Sequence, residues 1–214
     1  SIRPTASSGA LGGVARATKA AIVLCEAAGY THVFVETVGV GQSETAVSQM
    51  VDAFLFLAMP GTGDELQGIK KGIMEMADLI AINKCDGDNA PAVKRTRVEL
   101  QRALQLSTRN EFNWTPTITL ISALESQGFE ELEAAIDQCI RHSRGQGWFE
   151  EKRRQQAEYW FEVEVKHSLR NVLQQHSVLQ AEYDSLRVQV GQRELGPLQA
   201  SKLFIEELRR QLDD

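Results

Sequence analysis

Short apolar runs alternate with stretches of helical periodicity along the first two-thirds of the chain. The clearest run is Leu79–Ile82, which breaks at once into the polar loop Asn83-Lys84-Cys85-Asp86-Gly87-Asp88-Asn89. Such a run fills a strand buried on both faces, as in a parallel sheet. Val33–Val35, Ala53–Met59 (closed by Pro60-Gly61) and Thr117–Ile121 (after Pro116) read as further strands. Helices are expected over Val14–Ala28 with Gly29 as the stop, and over Glu44–Met50 with Ser43 as the cap. Others are expected over Leu66–Met76, Ala92–Leu106 and Phe129–Arg141, and the first dozen residues read as a loop. Strand, loop and helix in repeated alternation predict an α/β fold with a mainly parallel sheet covered on both faces.

The pattern changes near Gly145-Gln146-Gly147. Beyond it charge and glutamine are frequent. Phe161, Val165, Leu169 and Val172 recur at helical spacing, with Trp160 and Leu173 beside them. A long amphipathic helix is expected there, beginning near Glu150-Glu151-Lys152-Arg153-Arg154, where Glu150 and Arg154 have the favourable one-turn spacing. Helices over Val178–Val190 and Gln199–Leu212 follow, interrupted at Gly196-Pro197. The chain therefore reads as an α/β domain over residues 1–146 and an all-helical segment over 147–214.

Composition narrows the function classes. The chain has 214 residues, 43% hydrophobic and 24% charged, as ordinary globular domains do. A net charge of −6 gives no overall basic footprint, so nucleic acid is not an expected partner. No apolar run has membrane-spanning length, so no membrane association is expected, and the first residues, Ser1-Ile2-Arg3-Pro4, show no secretion signal. Cys25, Cys85 and Cys139 are scattered with no CxxC pair, which suits reduced thiols in a cytosolic-type compartment. Cys25 and Cys139 fall in helical patterns and read as packing residues. The four histidines lack metal-ligand spacing.

Three loops follow three expected strands: Glu36-x-x-Gly39, then Asn83-Lys84-x-Asp86, then Ser122-Ala123-Leu124. In one parallel sheet all three would open on the same rim, where ligands of open α/β folds bind. A carboxylate at Asp86 suits guanine, because it can accept from both the ring N–H and the exocyclic amine. The Asn83 amide can brace the loop and reach the base edge, while the Lys84 stem lies over the base face. The Glu36-x-x-Gly39 step suits a γ-phosphate sensor, with the acid serving a magnesium shell and the Gly39 amide approaching an oxygen. The backbone at Ser122-Ala123 can meet the guanine oxygen. Singly, each has a bland alternative: a polar loop, a strand-end acid, a helix cap.

The stretch Glu36-Thr37-Val38-Gly39-Val40-Gly41-Gln42-Ser43-Glu44 resembles the signature of the MeaB/ArgK-type P-loop GTPases, GTPase chaperones of adenosylcobalamin-dependent methylmalonyl-CoA mutase. Ile2-Arg3-Pro4 with Ser7-Ser8-Gly9-x-Leu11-Gly12-Gly13, Leu24–Gly29, Gly63–Gly72 and Asp86-Gly87-Asp88-Asn89 agree with it. The tail, with Ala157-x-Tyr159-Trp160, is similar to that family's dimerisation segment. The resemblance implies a GTPase-like fold, GTP/GDP and Mg2+ as ligands, and hydrolysis of GTP to GDP and phosphate. Asn83, Lys84 and Asp86 would read guanine, and Ser122, Ala123 and Leu124 would close over it. Glu36 would assist magnesium, through water, and Gly39 would sense the γ-phosphate. Gln67 and Lys70, one turn apart, are the catalytic candidates of an additional switch over Gly63–Gly72, against a plain solvated face. It also implies a homodimer through the C-terminal helices, a mutase partner, and a cytoplasmic location, or the mitochondrial matrix in a eukaryote. Trp148, Phe149 and Trp160 read as core or subunit interface.

One departure is large. No Gly-x-x-x-x-Gly-Lys-Ser/Thr occurs in the 214 residues, and Gly9–Gly13 lacks the lysine and hydroxyl of a phosphate loop. The expectation is a domain without its N-terminal strand and phosphate loop, with impaired nucleotide binding. Two other readings remain: an inactive dimerisation or scaffold module, and a kinase linked to basic amino-acid transport.

Overall fold

The computed structural model describes residues 11–37, 43–61, 71–106 and 113–213. Its first helix, α1, spans Leu11–Ala27, starting earlier than the glycines at 12 and 13 suggest, and Gly29 follows it in a left-handed turn (φ +86°). A short α2 (Ser43–Ser48) precedes the strand β1 (Leu55–Ala58), and α3 (Lys71–Met76) leads into β2 (Leu79–Ile82). A 3₁₀ turn, Gly87–Asn89, feeds α4 (Ala90–Leu106), followed by β3 (Thr117–Leu120) and α5 (Phe129–Gly145). Three helices complete the chain: α6 (Trp148–Gln175), α7 (Ser177–Gly191) and α8 (Pro197–Asp213).

The sheet has the order β1-β2-β3, all parallel, with Leu55 opposite Leu79 and Leu79 opposite Thr117. Every residue of the central strand β2 is buried, which explains its unbroken apolar run. Alternation sorts its side chains. Ile80 and Ile82 pack with Val93 and Leu100 of α4, whereas Leu79 joins Trp114, Ala135 and Cys139, and Ala81 joins Ile121 and Leu132, on the α5 side. This is an α/β core with a small parallel sheet between helices, followed by an all-helical region.

The expected strand Val33–Val35 is not one. Residues 33–37 carry no strand assignment, and Phe34 is 83% exposed. A run of β-favouring residues becomes a strand only where another strand edge receives its hydrogen bonds, and β1, β2 and β3 do not receive this one. The expected helix Leu66–Met76 is described only from Lys71 onward. The helix from Phe129 runs on to Gly145, with His142 and Arg144 in its last turn, where cations suit the dipole.

The chain divides into two compact units, Ser1–Gln156 and Ala157–Asp214, and the division falls inside α6. In the first unit the opening turns of α6 are fastened to the foot of the sheet. Lys152 Nζ donates to the Asp52 carbonyl at 3.0 Å and to Asp78 Oδ2 at 3.4 Å. Arg153 grips both oxygens of Asp52 at 2.7 Å and reaches Glu26 of α1 at 3.0 Å. These bonds, Asp52 first, hold its guanidinium more firmly protonated than usual. Buried Gln156 donates to the carbonyls of Ser48 (3.2 Å) and Val51 (2.9 Å). Phe149 is buried beneath the Arg144 and Arg153 guanidinium groups, and Trp148 packs beside the Leu79 cluster. In the second unit α7 and α8 form a hairpin, burying Leu179, Leu186 and Ala200, with Tyr183 edge-on to Phe204 at 5.8 Å. Pro197 opens α8, where its missing N–H is no loss.

Candidate functional site

Two strand ends build one rim. Beyond β2 the backbone turns through Asn83 and Lys84, and Lys84 takes the left-handed conformation (φ +60°), uncommon for a residue with a side chain. Asn83 holds this turn. Its N–H donates to the Ala58 carbonyl at 2.9 Å, and its side-chain oxygen accepts from its neighbour Lys84 N at 2.8 Å. The same oxygen accepts from Ala123 N at 3.1 Å, so one amide side chain joins the loop after β2 to the loop after β3. Cys85 adds a second tie, its N–H donating to the Ile121 carbonyl at 3.1 Å.

Asp86 is fixed from the β3 side. Ser122 Oγ donates to Asp86 Oδ2, and the same hydroxyl accepts from Glu125 N at 3.0 Å. Ser122 is 2% exposed and paired through its backbone with Gln127 in both directions, at 3.0 and 3.1 Å. The loop can close only because residue 128 is glycine. A Cβ there would lie 2.0 Å from the Leu120 carbonyl oxygen, and φ is +76°. The result is a carboxylate with a fixed direction at the carboxyl end of a buried strand.

Asn83, Lys84, Asp86, Ser122 and Ala123 thus come together, with Leu124 beside them, 85% exposed. Glu36 is exposed in a segment without regular secondary structure. Gly39, Gln67 and Lys70 lie outside the described residues. Among the described residues no group of three or more His, Cys, Asp or Glu side chains could hold a metal ion. Magnesium commonly keeps several waters and takes one or two carboxylates plus substrate phosphates, so a nucleotide-bound ion does not call for such a cluster. The Cys85 thiol, whose Sγ lies 3.0 Å from the Ile82 carbonyl, is pushed above its usual range by burial, with the nearby Asp86 charge adding to the rise.

A family profile described as "Methylmalonyl Co-A mutase-associated GTPase MeaB" matches residues 1–177. The chain belongs to the MeaB family. GTPase ArgK of Escherichia coli is 46% identical over 172 residues, covering 80% of this chain and 52% of that protein. The mitochondrial methylmalonic aciduria type A homolog of Mus musculus is 39% identical over 205 residues, covering 96% and 49%. The crystal structure of a LAO/AO transport system kinase matches with a TM-score of 0.73 at 36% identity, over 92% of this chain and 63% of that one. The chain spans about half the length of these two curated MeaB relatives. Among the described residues no helix is long and apolar enough to cross a membrane.

Several residues that shape the rim are not among the expected site residues. Gly128 and Gln127 set the β3 loop, and Asn89 Nδ2 donates to the Lys84 carbonyl at 3.0 Å. Asp86-Gly87-Asp88-Asn89 is legible as a family stretch, but nothing in its letters says that Asn89 folds back on Lys84.

Proposed function

We propose that this chain carries the base-reading half of a GTP-binding, GTP-hydrolysing chaperone that gates adenosylcobalamin delivery to, or protection of, methylmalonyl-CoA mutase. The observation that carries the guanine part is the Asp86 carboxylate, held by Ser122 Oγ beyond the end of β2. So oriented, it can accept from the ring N–H and exocyclic amine of guanine, a pair adenine does not offer. The Lys84 stem covers a base face, the Asn83 amide reaches the base edge, and the Ala123 N–H, now on Asn83 Oδ1, turns to the guanine oxygen. The mutase part is supported by the family description and by the names of the methylmalonic aciduria relatives.

Glu36, Gly39, Gln67 and Lys70 would serve the phosphate end, Glu36 toward water-held magnesium and Gly39 toward the γ-phosphate. Magnesium would neutralise charge on the phosphates; the chain's own part is to position the nucleotide, with no covalent intermediate. No phosphate-loop motif occurs in these 214 residues, so their grip on phosphate is weak and the base dominates recognition. Homodimerisation would run through the 147–214 segment, where Phe161, Val165, Leu169 and Val172 line one stripe of α6, exposed by 69, 38, 59 and 63%. The same stripe favours a second reading, a dimerising scaffold without turnover.

Calorimetric titration with GDP, XDP and ADP tests the base reading. GDP is preferred over ADP in the native chain, and Asp86→Asn moves preference toward XDP, because two acceptors become one donor and one acceptor. Unchanged base preference in Asp86→Asn would remove Asp86 from the site. In a form of the protein that carries a phosphate loop, release of free phosphate from GTP distinguishes the chaperone from a kinase, which would leave phosphate on a protein, and from a scaffold, which releases none.

A further inference from the structure

Asn89 is the last residue of the 3₁₀ turn Gly87–Asn89, which starts after Asp86 and runs straight into α4. Its side chain ties this turn to the loop before it. Its Nδ2 donates backward to the Lys84 carbonyl at 3.0 Å, across five residues. Its backbone N–H also points back, to the Asp86 carbonyl at 3.4 Å. These two bonds close residues 84–89 into a clasp with Asp86 inside it. The clasp holds Lys84 at φ +60° and is completed by Gly87 at φ +58°, where no atom crowds the missing Cβ. A lysine in left-handed backbone relaxes toward ordinary conformations unless its surroundings hold it. Asn83 Oδ1 grips the Lys84 N–H from one side and Asn89 grips its C=O from the other, so the peptide planes on both sides of Lys84 are pinned.

We propose that Asn89 is a positioning residue for base selection: its side-chain N–H, by holding the Lys84 carbonyl, sets where Lys84 and Asp86 meet the purine. This inference rests on the guanine reading of the rim. It assigns guanine selectivity to a side chain that would not touch the base.

Aspartate is the discriminating substitution. It has nearly the same size and shape as asparagine but no N–H to give the Lys84 carbonyl. The full chain and its Asn89→Asp variant are titrated with GDP, IDP and ADP, and their urea midpoints are compared. IDP lacks the exocyclic amine and so reports half of the Asp86 pairing. Losing one positioning hydrogen bond weakens GDP binding about fivefold and shrinks the GDP-over-IDP preference by a similar factor, while the urea midpoint holds. The Lys84 φ, read from its backbone three-bond coupling, leaves the left-handed range in the variant. Equal GDP affinity and equal GDP-over-IDP preference in both proteins overturn the inference, as does a left-handed Lys84 that persists in Asn89→Asp. An affinity loss that only follows a lowered urea midpoint makes Asn89 merely structural. A native chain that does not prefer GDP to ADP refutes the guanine reading itself, and this inference with it.

Discussion

The Lys152 ammonium lies 3.4 Å from Asp78 Oδ2, at the foot of the same strand whose other end presents Asn83 and Asp86. Asp78 also accepts from Phe54 N at 2.9 Å, and its carbonyl takes the Trp114 indole N–H at 2.8 Å. The two side chains are 19% and 8% exposed, so this pair is largely removed from water. Replacing Lys152 with methionine keeps the stem and leaves Asp78 short of its cationic partner. We expect a loss of about 2 kcal/mol, read from urea unfolding followed by tryptophan fluorescence.

Gly128→Ala and Gly87→Ala form a matched pair. Both glycines have positive φ, but only at 128 would the new Cβ meet backbone, the Leu120 oxygen 2.0 Å away. Gly87→Ala should lose about 1 kcal/mol from conformation alone. Gly128→Ala should lose upward of about 3 kcal/mol, because the β3 loop has to shift. Equal losses in denaturant titrations would mean that the loop after β3 is more yielding than its geometry implies.

Ser122→Ala removes the donor to Asp86 and the acceptor of Glu125 N together. The carboxylate then rotates freely. Affinity for GDP should fall about tenfold, roughly 1.4 kcal/mol, with much less effect on ADP, as calorimetry can measure.

Cys139 is 2% exposed, and burial first, then the Asp78 charge, push its thiol up to about 12 from an ordinary 9.0. Between those values the unfolded chain has lost the proton that the folded chain keeps. The stabilising contribution is therefore complete below pH 9.0 and is lost as pH rises toward about 12. Urea midpoints measured across that window should fall less steeply in Cys139→Ala. Native Cys139 should also resist thiol reagents at pH 8 until the chain unfolds.

Leu169→Glu places a charge in the middle of the exposed stripe on α6. If that stripe pairs two copies, sedimentation velocity should show a dimer in the native chain and a monomer in the variant, with helix content unchanged by circular dichroism. A monomeric native chain at tens of micromolar would dismiss the dimerisation reading.

What could be read in the letters depended on how local each feature was. β2 was legible to the residue, because four apolar positions between Asp78 and Asn83 suit a strand buried on both faces. Val33–Val35 has the same local chemistry, but a strand needs a neighbour's edge, and three residues carry no information about that. Asn83, Asp86 and Ser122 were found as motifs and do meet at one rim. Their supports were hidden, since Gly128 is demanded by the approach of Leu120 and Lys152 meets a residue 74 positions earlier. The Asn89 bond spans only five residues, yet a polar loop offers many such acceptors and the letters do not choose among them.

The outer side of β1 has a practical consequence. Among the described residues β1 pairs only with β2, and Leu57 and Met59 beside that edge are 58% and 47% exposed. A sheet edge with exposed apolar side chains is a place where an extended peptide of suitable pattern can stack. Concentration thus becomes a structural variable for this chain: dilute solutions should keep it soluble, whereas crowded ones should draw it into edge-to-edge aggregates. A lysine at position 57 would be the simplest gatekeeper.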